Sequence, residues 1–123
     1  MTHARLHVGK DGESIAASFL EQHGVAILEQ NYKIRLGEID IIARDGDTIL
    51  FIEVKSKKSD GYLHPKYSIT NLKQKKISMV ALHYLKATRQ SRCKARFDVI
   101  TVISGYSQPK IDWIQNAFEL SYF

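Results

Sequence analysis

Apolar positions along the chain fall into two periodicities. From Gly9 to His23, Ile15, Ala16, Phe19 and Leu20 recur at helical spacing and Gly24 supplies a stop, which predicts a first helix. Short apolar runs follow over Val25–Ile34, Glu38–Arg44 and Ile49–Ser56, and these predict three strands. Asp45-Gly46-Asp47-Thr48 is a turn signal between the last two. A stripe of Ile77, Val80, Ala81 and Tyr84 predicts a second helix over 71–88, with Thr70 as its N-cap and Lys73 heading the stripe. Phe97–Ile103 and Ile111–Ile114 predict a fourth and a fifth strand. The order of elements predicts an α/β or α+β sandwich around a mixed sheet, with a parallel crossover from the third strand to the fourth. One domain, 1–123, is expected. Residues 57–69, which include Ser59, Asp60, Gly61 and Pro65, read as an exposed loop.

The turn at Asp45–Thr48 fixes which side chains meet. Alternate residues of a strand share a face, so Glu53 and Lys55 lie with Ile49 and Phe51. A two-residue turn at Gly46-Asp47 pairs Asp45 with Thr48 and places Asp40 opposite Glu53. A two-residue turn at Asp45-Gly46 puts Asp40 opposite Phe51, still on the same face. Only an odd loop or a bulge separates the faces. Two facing carboxylates repel, and burying either without a partner costs more. A divalent cation such as Mg2+ (or Mn2+) relieves the conflict, binding through one or two carboxylates, water and phosphate oxygens. It would polarise a phosphodiester and acidify a bound water, with Lys55 placed to assist. The residues alone equally admit an exposed strand face on which Lys55 neutralises both acids. Leu50, Ile52 and Val54 on the other side mark the third strand as central, where charged groups need a reason.

Charge sharpens this picture. Residues 55–96 hold twelve Lys and Arg against Asp60 alone, while the remainder holds six basic residues against twelve acids. Such a one-sided basic segment suits a phosphate backbone, or is simply a solvated helix and loop. The lone Cys93 excludes an intrachain disulfide and a thiolate zinc site, and favours a reducing, cytoplasmic setting. No signal peptide or membrane-spanning run is recognisable. His3, His7, His23, His64 and His83 show no ligand spacing, and Asp98 reads as a structural partner of Arg96 rather than a third ligand.

Gly37-Glu38-Ile39-Asp40-Ile41-Ile42-Ala43, Phe51-Ile52-Glu53-Val54-Lys55 and Arg96-Phe97-Asp98-Val99 together resemble the YraN-like bacterial family of the PD-(D/E)XK nuclease superfamily, which is similar in its core to archaeal Holliday junction resolvases. Gly12-Glu13 with Ala16, Asn31-Tyr32 and Asn116-Ala117-Phe118 extend the resemblance from Gly9 to Phe118. It implies a restriction-endonuclease-like core, a mixed five-stranded sheet flanked by helices. It implies Asp40 and Glu53 as metal ligands, Lys55 as catalytic lysine and Glu13 as a first-helix acid acting on the metal through water. Lys73 matches a helix lysine that reaches phosphate, Gln74 is a weaker candidate, and Glu38 is an outer or structural acid. Lys33 and Lys57 stand where the family commonly has arginine.

The expected function is that of a metal-dependent endonuclease acting on DNA, with Lys57, Lys58, Lys66, Lys73, Lys75 and Lys76 guiding the phosphate backbone. The alternatives are a module of the same fold that binds without cutting, and a structural protein whose acidic hairpin is a relic. Tyr62 and Tyr67 are placed to stack on bases or to pack their loop. Trp113, Phe118, Tyr122 and Phe123 form a packing strip, or a homodimer contact if exposed together.

Overall fold

Five strands hydrogen-bond in the spatial order β1-β2-β3-β4-β5, the same as their order in the chain. In this computed structural model, which describes residues 8–58 and 69–121 with side chains from Gly12 onward, the elements are α1 (Val8–Gln22), β1 (Ala26–Ile34), β2 (Gly37–Asp45), β3 (Thr48–Lys58), α2 (Asn71–Ala87), β4 (Lys94–Ser104) and β5 (Lys110–Phe118). All neighbouring pairs are antiparallel except β3 and β4, which run parallel in register from Thr48 opposite Lys94 to Lys58 opposite Ser104. A parallel pair needs a crossover, and α2 supplies it. The result is an α/β fold with a mixed five-stranded sheet flanked by two helices, consistent with a restriction-endonuclease-like core. None of its described helices is long and apolar enough to cross a membrane.

Each helix covers one face of the sheet. Ala16, Ala17 and Leu20 of α1 pack with Ile41, Ala43, Leu50, Ile52, Ile100 and Val102. Ile77, Val80, Ala81, Tyr84 and Leu85 of α2 pack with Ile39, Ile42, Ile49, Phe51, Phe97 and Val99. The alternation along β3 therefore buries it on both sides, as its composition predicts for a central strand. Helix α2 is capped where expected, the Thr70 hydroxyl accepting the Lys73 N–H at 3.1 Å.

The hairpin register is the one the turn requires. Asp45 pairs with Thr48, and Gly46 adopts φ +61°, the left-handed geometry that a first central turn position asks of glycine. One boundary needs correction. Strand β3 continues to Lys58, so Lys57 and Lys58 belong to the sheet and not to the expected loop 57–69, because pairing with Ile103 and Ser104 of β4 extends it. Ile69, at the far end of that stretch, is buried in the α2-side core. Lys66, with Tyr62, Tyr67 and His64, lies outside the described residues, as do His3, His7, Tyr122 and Phe123.

At the other edge, Asp98 ties β4 to β5. It is fully buried, and it accepts bonds from Arg96 Nε (3.0 and 3.2 Å), Trp113 Nε1 (2.8 Å) and the Asn116 N–H (3.0 Å). Asn116 has φ +53° and falls where the β4–β5 register shifts, so the carboxylate satisfies an N–H freed by a bulge. Asp98 thus acts as the structural partner of Arg96 that its sequence position suggests. Trp113 is partly buried against the α1-side core, and Phe118 stacks on Phe97 at 4.9 Å between ring centroids. Replacing Asp98→Asn strands a half-buried guanidinium and is expected to lower unfolding free energy by about 3 kcal/mol. Urea denaturation measures this, and an unchanged midpoint would remove Asp98 from the role of tie.

Candidate functional site

The β2–β3 ladder ends at Ile41 opposite Ile52. Beyond it the strands part, and the break is visible in the side-chain pattern. Ile39 and Ile42 both enter the α2-side core while Ile41 joins the α1 side, so strict alternation fails around Asp40. Across β1 the facing position is Asn31, which has φ +54°. Where the backbone ladder stops, the Asp40 side chain takes over. Its Oδ2 accepts the Val54 N–H at 2.8 Å. This bond fixes the carboxylate beside the next residue back on β3, Glu53.

Glu53 keeps the face that alternation assigns it, with Phe51 and Ile49, and points toward α2. Only 7% of it is exposed. Its Oε2 lies 3.6 Å from Lys55 Nζ and 3.6 Å from Lys73 Nζ. These are ion-pair distances, longer than direct hydrogen bonds. Burial, and then the charge of Asp40, push the Glu53 carboxyl up to about 7 against the pull of Lys73 and Lys55, and a hydrogen bond that the protonated Glu53 carboxyl donates to Asp40 adds to the rise. Near neutral pH the Glu53 carboxyl is therefore close to half-protonated, set between two lysines.

Lys55 sits two residues along β3 and is half-buried. Lys73 arrives from the first turn of α2, so the crossover delivers a second cation to the same carboxylate. The expected trio Asp40, Glu53 and Lys55 is brought together, and Lys73 joins it. Glu13 is half-buried with Oε1 shielded from solvent. It follows Gly12, where an added Cβ would collide with the Ser56 side chain, so glycine suits the close approach of α1 to β3 one residue beyond Lys55. Among the described residues no three His, Cys, Asp or Glu side chains group as a metal cage. The acidic centre is thus a pair, Asp40 and Glu53, which suits an ion that keeps most of its ligands as water or phosphate oxygen.

The remaining candidates divide. Lys57 and Lys58 continue β3 past the pair, and Lys75 and Lys76 extend α2 beyond Lys73. Gln74 instead donates to the Ile69 carbonyl at 3.1 Å, closing the entry to α2. Glu38 is exposed opposite Lys33 on β1. His23 bonds the Phe19 carbonyl through Nδ1 at 2.7 Å, and His83 lies against Tyr32. One residue has no counterpart in the sequence reading. Thr101 of β4 pairs with Lys55, is fully buried, and its Oγ1 has no hydrogen-bond partner among the described residues. Phe97 and Val99, which alternate with it, face α2, so its hydroxyl lies on the Glu53–Lys55 face. Only the parallel register reveals this, since nothing near Thr101 in sequence is charged except Asp98.

Comparison with known proteins agrees with the motifs. The model of the uncharacterised protein family UPF0102 matches residues 12–102, a stretch that contains Glu13, Asp40, Glu53, Lys55 and Lys73. A UPF0102 protein of Syntrophus aciditrophicus is 51% identical over 117 residues, covering 95% of this chain and 92% of the relative. One of Geobacter metallireducens is 49% identical over 115 residues, covering 94% of each. One of Nitrosomonas europaea is 45% identical over 113 residues, covering 92% of this chain and 94% of the relative. With its fold, its acidic pair and its matched length in accord, the chain belongs to the UPF0102 family, the YraN-like group whose motifs it carries.

Proposed function

We propose that this protein is a metal-dependent endonuclease that hydrolyses phosphodiester bonds in DNA, with Mg2+ or Mn2+ held by Asp40 and Glu53. The observation that carries the reading is the enforced meeting of two carboxylates, one of them buried, with two lysines at 3.6 Å. Such a pair is costly unless a proton or a cation joins it. The bound ion would supply Lewis acidity toward the phosphate and an acidified water.

The chain's own groups account for the rest. The Val54 N–H holds Asp40 in one orientation. Lys55 and Lys73, each 3.6 Å from Glu53 Oε2, would stabilise the charge that grows on the phosphate. Glu13 orders water at the α1 side of the pair. Lys57, Lys58, Lys75 and Lys76 lie at the same end of the sheet and give the backbone a cationic track. The lone Cys93, which is exposed, fits a reducing cytoplasm.

A panel of linear, nicked, flapped and four-way DNA, titrated with Mg2+ or Mn2+, tests the activity. Asp40→Ala or Lys55→Ala is expected to reduce cleavage by about a hundredfold or more while the fold persists. Wild-type rates in either variant would remove that residue from the mechanism, and salt-sensitive binding without cleavage by the parent protein would leave a binding module in place of an enzyme.

The acidic pair also predicts a pH signature. Glu53 is raised from 4.5 to about 7 in the folded protein, so the native state binds the extra proton. Stability from this group is therefore fully present below about pH 4.5, is lost as pH rises to about 7, and amounts to roughly 3 kcal/mol. The difference between the parent protein and Glu53→Gln in urea denaturation across this window reads it. Added Mn2+ is expected to abolish the loss and to release about one proton per ion bound near pH 6. A flat difference curve would show that Glu53 is not raised in the folded protein.

A further inference from the structure

The β1–β2 hairpin breaks the turn chemistry that the β2–β3 hairpin obeys. Ile34 pairs with Gly37, so Arg35 and Leu36 form a two-residue loop. Loops of that length favour glycine or asparagine with positive φ, yet neither Arg35 nor Leu36 has it. The tip places a leucine, 52% exposed, at a position where the turn itself has no use for one. Arg35 stands beside it, and Lys33 precedes it on an exposed strand position.

The tip is also next to the acidic pair. Gly37, three residues before Asp40, faces α2 so closely that an added Cβ would lie 3.6 Å from Lys76 Cβ. Leu72 lies one helical turn before Lys76 and is 54% exposed, and its neighbour Lys73 is the residue paired with Glu53. The two most exposed leucines among the described residues thus belong to the β1–β2 tip and to the first turn of α2, with Lys33 and Arg35 flanking the one in sequence and Lys73 and Lys76 following the other. Single exposed leucines are ordinary, but apolar tips set among cations match how proteins insert a wedge between DNA bases.

We propose that Leu36, supported by Leu72, is a wedge that enters DNA where base stacking is interrupted, at a nick, gap or unpaired base, and lays the adjoining phosphate on the acidic pair. This deepens the nuclease reading by naming its substrate class, and rests on it. Cations bind the backbone anywhere, whereas a leucine gains contact only where a base step is open. Intact duplex must first be unstacked, so the wedge discriminates against it.

The test is fluorescence-anisotropy binding in Ca2+ or EDTA, where no cleavage is needed, to one duplex in three forms: intact, nicked, and with an unpaired base. The parent protein is expected to prefer the interrupted forms by about tenfold or more, a difference set by the avoided unstacking. Leu36→Ser, at an exposed site with no folding role, should keep its affinity for intact duplex and lose the preference. Arg35→Gln should weaken all three alike and flatten the salt dependence. Equal binding of all three forms by the parent, or an equal loss by Leu36→Ser on all three, would overturn the wedge while leaving the nuclease reading intact. No binding to any form would overturn both.

Discussion

The hydrogen bond from the Val54 N–H to Asp40 governs how the acidic pair of the candidate site is assembled. It forms where the β2–β3 ladder ends, and it exchanges a backbone partner for a charged one. The N–H needs an acceptor once the strands part, because a donor left alone at the edge of the core is costly. Meeting that need with a side chain forces the carboxylate against Glu53. A structural requirement of the sheet and the assembly of the acidic pair are therefore the same event. Lys55 and Lys73 temper but do not cancel the combined effect of burial and the Asp40 charge, since Glu53 remains raised to about 7.

Two acidic residues of this fold, Asp98 at a bulge and Asp40 at the end of a ladder, take up backbone N–H groups with opposite outcomes. Asp98 is enclosed by Arg96, Trp113 and the Asn116 N–H, and every donor around it belongs to the protein. Nothing is left over for a ligand. Asp40 satisfies one donor and leans on another acid. In each case an asparagine with positive φ marks the distorted neighbour strand, Asn116 beside Asp98 and Asn31 beside Asp40. Asparagine tolerates that conformation better than most residues, which gives the Asn-Tyr and Asn-Ala-Phe segments a backbone reason for their place in the motif set.

Most of the fold was legible because the punctuation is strong. Gly46 fixed the hairpin, the β-branched run fixed β3 as central, and Thr70 fixed the start of α2. The facing of Asp40 and Glu53 followed from counting outward from the turn. What escaped was tertiary. The failure of alternation near Asp40 lies where the β2–β3 ladder ends, a break that no periodicity reports. Derived from residues alone, Lys73 was only the head of an apolar stripe, and its ion pair with Glu53 exists because the crossover brings α2 over β3. Thr101 was invisible for the same reason, since its link to Lys55 runs through parallel pairing across a long connection. Gln74 stands beside Lys73 in sequence, but nothing there reports that one N–H of its amide engages the Ile69 carbonyl.

That connectivity orders how the centre comes into being. Asp40 and Glu53 are joined by a hairpin with a two-residue loop, a local contact whose closure is fast. Lys73 reaches them only after the crossover has packed and β4 has aligned, a slower, non-local step. The nascent hairpin thus holds its acids together before one of their two cations has arrived, so acidity or a divalent ion in the surrounding solution bears on how readily the chain matures as well as on what the finished protein does.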